Sequence, residues 1–407
     1  MILDGSKRPE VELFQGETLK VMMQFRGNKL PVFAAFTAAA GLMSLTLAPS
    51  AHGQAVNTKE VAKGETSGHY YKNVTSAALK DTTPSDFIAA MGVMTAALGY
   101  DCSNCHPGAG TDTVDWVTDK DRKKVVARKM LDMVVAINKT HFAGVQQVTC
   151  FTCHHGLDLP TTSIQLDKLY GEPPDEKRDI VPVQAGEPPA AQILDEYITA
   201  LGGAAKLATL KSYVATGLSV GYEGAGGNGN FQIFAEAPAK RGVWISFPEH
   251  PDRGTAAWTY DGTTGWISQP RAYLGKLHLD GNDLAGAKLD SVLAFPGNIK
   301  TAFNTWRVGP EDVIHDHEVY VVQGSSNGLV GTFYFDKKTH LMVRYVRQTP
   351  TPAGRVSIQQ DFDDYREVQG IKFPFKYAFL WLDGRFSAEI KDVKINVPVE
   401  AAKFGKP

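Results

Sequence analysis

Only four cysteines occur among the 407 residues, and the formal net charge is −2. So small a charge excludes a field that would make nucleic acid or an acidic surface the main partner. The C-terminal half shows no nucleophile elbow, phosphate loop or HExxH pattern, so those hydrolytic and nucleotide-binding signatures are missing. Long apolar runs are scarce too. The one near the N-terminus, Leu30 to Leu47, follows Arg26 and Lys29 and leads to Ala51 and Gly53 at small-residue spacing. This pattern predicts a secretory signal peptide cut near Gly53 or Ala55, with residues 1–55 outside the fold and the true start at Met22 or Met23. The rival is an uncleaved membrane anchor, since the run approaches the roughly 20 residues that span a bilayer. No cysteine follows the run, which argues against a lipid anchor.

What remains has ordinary globular composition, 43% hydrophobic and 21% charged, enough for two or three domains. Asn57 to Ser76 reads as a polar loop. A helix is expected from Thr83 or Ser85, with Pro84 in its first turn, Phe87, Ile88, Met91, Met94 and Leu98 at helical spacing, and Gly99 as its stop. A second helix, Asp121 to Lys139, repeats the plan with Val125, Val126, Met130, Met133, Val134 and Ile137. Each helix feeds a cysteine pair, so the segment reads as a weak internal duplication. From Leu159 to Ala191 six prolines predict a linker. Beyond it, AAQILDEYITALGG predicts a helix, and alternating strands follow, with hairpins from Phe333 (turn Asp336 to Thr339) and from Phe379 (turn Asp383-Gly384). Five of the six tryptophans (Trp244, Trp258, Trp266, Trp306, Trp381) lie here and imply a core of its own.

All four cysteines fall in two C-x-x-C-H motifs, Cys102 to His106 and Cys150 to His154. Cysteines three apart sit on about one helical turn, so two thioether bonds can fix a porphyrin edge while the next histidine reaches the iron. Competing readings fail on counting. A four-cysteine zinc site wants its pairs about 15 to 20 residues apart, whereas Cys105 and Cys150 are far further apart, and zinc leaves both histidines idle. A thioredoxin-like pair lacks its βαβ setting, and disulfides do not explain a histidine after each pair. Cys102, Cys105, Cys150 and Cys153 are therefore the expected attachment points of two haem c groups, with His106 and His154 as proximal ligands. Met91 and Met94, then Met130 and Met133, stand at i, i+3 before each motif, where one of each pair can be the distal ligand and core filling is the plainer role.

The runs MGVMTAALGYDCSNCH and ARKMLDMVVAINKTHFAGVQQVTCFTCHHG resemble the cytochrome c subunit of photosynthetic reaction centres over roughly Asp81 to Asp158. That resemblance implies Met91 as distal ligand of the first haem and Met130 of the second, with Met133 packing on the ring. Two departures stand out: reaction-centre members carry four haems, and here Gly144 stands where a second histidine is expected. Both weigh against a light-driven partner. His155 occupies a place where the family often has arginine, and an exposed surface histidine is the plainer reading.

Other features are weaker. Lys120, Arg122, Lys123, Lys124, Arg128 and Lys129 either dock an acidic redox partner or form a solvated helix face. His141 suits a helix end better than an iron. His315 and His317 stand two apart, as on one strand face, without a third ligand for a metal. The C-terminal half resembles the half-open β-barrels of periplasmic lipoprotein carriers.

The sequence thus predicts a multidomain exported protein: a small all-α dihaem module (56–158), a proline-rich linker (159–189) and an α+β domain with a curved antiparallel sheet or half-barrel (190–407). Its expected role is periplasmic electron transfer between an unidentified redox donor and acceptor, possible reaction centre included, without nucleic acid, and with membrane association only through an uncleaved N-terminal segment. The alternatives are a dihaem oxidoreductase or peroxidase, and a β domain for lipid or another hydrophobic ligand with the haems as redox sensor or electron supply.

Overall fold

Helices and loops dominate the described residues before Ala190, and strands most of the rest. The computed structural model describes residues 59–111, 113–171, 179–221, 228–270, 272–382 and 384–407, so the expected signal segment and Pro173-Pro174 lie outside them. In chain order the helices are α1 (Ser67–Tyr70), α2 (Ala77–Lys80), α3 (Pro84–Leu98), α4 (Arg122–His141), α5 (Cys150–His154), α6 (Leu166–Tyr170), α7 (Ala190–Ala200), α8 (Ala204–Leu207) and α9 (Gly281–Leu293). The strands are β1 (Glu60–Val61), β2 (Ser212–Val220), β3 (Asn228–Glu236), β4 (Lys240–Ser246), β5 (Thr255–Tyr260), β6 (Gly265–Ser268), β7 (Lys276–His278), β8 (Thr305–Val308) and β9 (Asp312–Ile314). They continue as β10 (His317–Ser326), β11 (Leu329–Asp336), β12 (Met342–Thr351), β13 (Gly354–Val368), β14 (Ile371–Trp381) and β15 (Gly384–Ile395).

The strands form one sheet in the order β1-β7-β6-β5-β4-β3-β2-β15-β14-β13-β12-β11-β10-β8, with β9 beside β10. Every pair is antiparallel except β1 with β7. Helix α9 touches β4 and β5 as well as β11 and β12, although five strands separate β4 from β12 in the order. Only a sheet curled around α9 permits that, so the expected curved antiparallel sheet is present. Register shifts at Tyr334/Phe335 and Ile390/Asp392 supply local bends. The enclosed core joins Ile193, Leu194, Tyr197 and Ile198 of α7 to Phe231, Phe333 and Phe335 of the sheet. Phe231, Phe333 and Phe335 have no exposed surface, and each such burial contributes about 2 to 3 kcal/mol.

The expected helix starts and stops follow their chemistry. Thr83 caps α3 by accepting from the Asp86 N–H, Pro84 opens it, and Gly99 closes it in the left-handed conformation. Asp121 caps α4, which turns Leu131, Val134 and Asn138 inward. Asn57 to Ser76 departs from the expected loop: β1 and α1 lie there, because Val61 buries itself with Leu277 and Leu279 against the sheet's edge. In the second expected hairpin Gly384 opens β15 and pairs with Trp381, while Asp383 lies outside the described residues.

The helical segment is not a free-standing bundle. Leu79, Ala90, Val93 and Leu131 share one core cluster with Ala353 in the β12–β13 turn. A Cβ on Gly354, which opens β13, would crowd Val93 and Thr149, and the Cys150 N–H donates to the Ala353 carbonyl at 3.1 Å. Leu382, at the β14–β15 turn, packs over Gly92 of α3. Part of the expected linker is tied down as well: the Gln323 amide donates to the Asp179 carbonyl at 2.9 Å, and the Gln184 N–H to the Val308 carbonyl at 3.0 Å.

Candidate functional site

The two cysteine motifs fold by the same device. Asp101 and Asn104 form a capping box around Cys102–Asn104, a 3₁₀ turn, and Thr149 and Thr152 form one around α5. Each box fixes the first cysteine at a helix start and brings the second, with its histidine, round about one turn later. None of the four cysteines is in a disulfide; Cys102 and Cys153 are exposed and Cys105 and Cys150 half-buried. Burial pushes the thiols of Cys105 and Cys150 upward. Among the described residues no three His, Cys, Asp or Glu side chains gather as a metal cluster.

The histidines differ in their second contacts. His154 Nδ1 lies 2.9 Å from the Leu157 carbonyl oxygen. As that oxygen only accepts, Nδ1 carries a proton, which leaves Nε2 as the nitrogen that can face an iron. His106 Nδ1 is buried without a hydrogen-bond partner, and the ring packs on Trp116 with centroids 5.0 Å apart. Burial holds the His106 imidazole below its ordinary value and the positive charge of Lys124 adds to the effect, while a hydrogen bond to the Trp116 backbone opposes it.

The loop that carries Trp116 is held by groups that the sequence pattern left unresolved. Lys124 Nζ donates to the carbonyls of Trp116 at 3.0 Å and Thr118 at 2.8 Å, while Arg128 makes two contacts of 2.9 Å to Asp119. Two of the six clustered cations are therefore structural. Before the second motif, Asn138 is 7% exposed and clamps the chain: its amide donates to the Val148 carbonyl at 2.7 Å and its oxygen accepts from the N–H groups of Gln147 and Val148, both at 2.9 Å. At the motif's exit the Gly156 N–H donates to the Ala97 carbonyl at 2.9 Å. A Cβ on Gly99 would strike the Gly156 carbonyl, which requires glycine there. Sequence reasoning missed Asn138, Trp116 and both capping boxes; the D-x-x-N and T-x-x-T spacings around the cysteines were the available signal.

The methionines divide unequally. Met94 packs against the buried cluster of Leu79, Ala90, Val93 and Leu131, whereas Met91 belongs to no buried cluster and is half-buried on α3. Met130 and Met133 lie on the outward side of α4, 39% and 44% exposed, in line with Val126 at 42%. An apolar stripe left open on α4 fits the flat apolar face of a porphyrin. The two capped cysteine turns, the His154 ring oriented by the Leu157 carbonyl and this stripe together fit covalently held haem.

His155 is exposed, in the left-handed position after α5, with its ring against Phe151 at 5.3 Å. His141 ends α4 and is exposed. His315 and His317 do not share a strand face: His315 is in the turn before β10 with positive φ, near Asp361 and Arg344, and His317 Nδ1 pairs with Asp336 at 2.6 Å.

Solved structures that overlap the chain share little sequence with it. A DUF1329 family protein from Desulfovibrio piger is 13% identical at a TM-score of 0.36, covering 54% of this chain and 98% of its own. A putative outer membrane lipoprotein-sorting protein domain from Vibrio parahaemolyticus is 9% identical at 0.36, covering 52% and 94%. A LolA superfamily protein from Nitrosomonas europaea is 14% identical at 0.35, covering 54% and 99%. Among curated proteins, the photosynthetic reaction center cytochrome c subunit of Thermochromatium tepidum is 34% identical over 102 residues, which are 24% of this chain and 23% of that protein. The chain thus matches about a quarter of that relative's length. The resemblance expected over 81–158 extends further, for residues 34–179 match the family model of the photosynthetic reaction centre cytochrome C subunit.

Proposed function

We propose that this chain is a dihaem c-type cytochrome that transfers electrons outside the cytoplasm. Thioethers at Cys102 and Cys105, and at Cys150 and Cys153, hold the two groups; His106 and His154 are the proximal ligands and Met91 and Met130 the distal ones. The observation that carries this reading is the His154 Nδ1 contact to the Leu157 carbonyl at 2.9 Å, which readies Nε2 as a ligand in a segment similar to a known cytochrome subunit. When bound, haem supplies one-electron chemistry between ferric and ferrous iron.

The chain's own residues do the remaining work. The capping boxes set the cysteines, the Leu157 carbonyl orients the His154 ring, Trp116 and the apolar sides of α3 and α4 exclude water, and the methionine thioethers suit the reduced metal. The divisions at 56–158, 159–189 and 190–407 remain our assignment of labour: haem-binding segment, tether and β domain. The partners are a redox donor and acceptor, a reaction centre being one candidate, and the location is periplasmic.

The test is the spectrum of the exported, haem-loaded protein. Six-coordinate low-spin haem with a near-infrared sulfur-to-iron band is expected. A high-spin component at either site would instead favour a dihaem oxidoreductase.

A further inference from the structure

Tyr273 lies between β6 and β7, in a loop that closes on itself where the two strands pair. The Gln269 N–H donates to the Gly275 carbonyl at 2.7 Å, and the Ala272 N–H to the Gln269 carbonyl at 2.9 Å. From that anchored loop the Tyr273 ring reaches two aromatic side chains of the helical segment. It meets Trp116 edge-on with centroids 5.3 Å apart, and it lies 6.2 Å from Tyr71.

Those two neighbours serve different sides of the first cysteine motif. Trp116 packs on the His106 ring at 5.0 Å, and Lys124 pins its loop. Tyr71 stacks on Phe87 at 4.8 Å, and its hydroxyl donates to the Pro84 carbonyl at 3.1 Å. Phe87 stands on α3 about one turn before Met91. A file of rings therefore runs from His106 through Trp116, Tyr273 and Tyr71 to the helix that carries Met91. Its middle member alone comes from the strands.

An iron held by a histidine nitrogen and a methionine sulfur needs those two atoms at a fixed separation. Here the two ligands sit on separate elements, so whatever sets the spacing of the Trp116 loop and α3 acts on the sulfur-to-iron bond. Tyr273 touches both. It is also 46% exposed, so the main core does not depend on it, whereas its loss uncovers Trp116 and Tyr71 together.

We propose that Tyr273 is a positioning residue for the first haem, holding the His106 ring and α3 in register through Trp116 and Tyr71. The inference rests on the haem reading above. Loss of the ring would loosen the methionine sulfur and admit water beside His106, and both changes favour ferric iron.

The experiment is potentiometric titration, with near-infrared spectra, of the full haem-loaded chain and its variants, each first weighed to count its haems. Tyr273→Ala should move the ferric–ferrous equilibrium of the first haem roughly tenfold toward ferric, a fall of about 59 mV for one electron. One sulfur-to-iron band should weaken, and the second haem should stay unmoved. Tyr273→Phe keeps the ring and should restore the original values, which a role for the hydroxyl would not. Tyr70, which packs on Tyr71 at 4.8 Å and not on Trp116, supplies the control: Tyr70→Ala should leave both haems unmoved. Tyr273→Leu carries the test should Tyr273→Ala lose its first haem. An unmoved first haem in a variant that carries both groups, equal movement of both haems, or the same shift in Tyr70→Ala would overturn the proposal and leave Tyr273 a packing residue. Absence of haem at Cys102 and Cys105 in the unmodified chain would instead overturn the haem reading, and this inference with it.

Discussion

His154 Nδ1 donates to the Leu157 carbonyl at 2.9 Å, while His106 Nδ1 is buried without a partner. A donated hydrogen bond raises the basicity of the opposite ring nitrogen and favours the more highly charged metal state. Burial of the His106 ring favours the less charged one, and the positive charges of Lys124 and Arg128 act the same way. Potentiometric titration should therefore resolve two waves. A variant with Cys102 and Cys105 both changed to alanine should retain the lower one; retention of the higher wave would contradict this assignment.

Asn138 should matter as much as any ligand to the second motif, although it touches neither cysteine nor histidine. Replacing it by alanine strands two backbone N–H groups and one carbonyl near the motif's entrance. A loss of about 3 kcal/mol is expected, together with reduced haem occupancy at Cys150 and Cys153. Chemical denaturation and the mass distribution of the purified variant measure both. A change below about 1 kcal/mol would show that the clamp is dispensable.

The two methionines of α3 should respond in opposite ways. Met94→Ala empties part of a buried cluster and should cost about 2 to 3 kcal/mol, leaving the spectrum unchanged. Met91→Ala should cost less stability but remove one sulfur-to-iron band and lower one potential. The reverse pattern would transfer ligation to Met94.

A half-buried carboxylate on α9 sets an acid dependence. Asp283, on α9, has its pKa raised, chiefly by burial, with a hydrogen bond from Ser85 opposing. A group that holds its proton more tightly when folded favours folding most below its unfolded pKa of about 4. That advantage is lost as pH rises through the raised folded value. Asp283→Asn should therefore raise the melting temperature more at pH 7 than at pH 4. An equal shift at both values would mean that Asp283 binds its proton no more tightly folded than unfolded.

Much of this was legible in the sequence, for reasons that differ by element. Helices α3, α4 and α7 announce themselves through Thr83, Asp121 and Gly99 and through apolar spacing, all local signals. The hairpin at Asp336 to Thr339 is local too. The closure of the sheet through β2 beside β15 and the docking of the cysteine helices on Ala353 and Leu382 depend on contacts across more than 150 residues, which no window of sequence contains. Lys124 illustrates the same limit at short range. In the sequence it is one of six clustered cations, but it is held inside by two carbonyls that only the loop's path brings to it.

The central claim is two covalent haems on one exported chain. Its most direct measurement is the intact mass of the protein produced with a cytochrome c maturation system, compared with variants in which Cys102 and Cys105, or Cys150 and Cys153, are replaced by alanine. Two haem additions are expected on the unmodified chain and one on each variant. A chain without haem additions, or with both retained after either replacement, would contradict the assignment of these motifs.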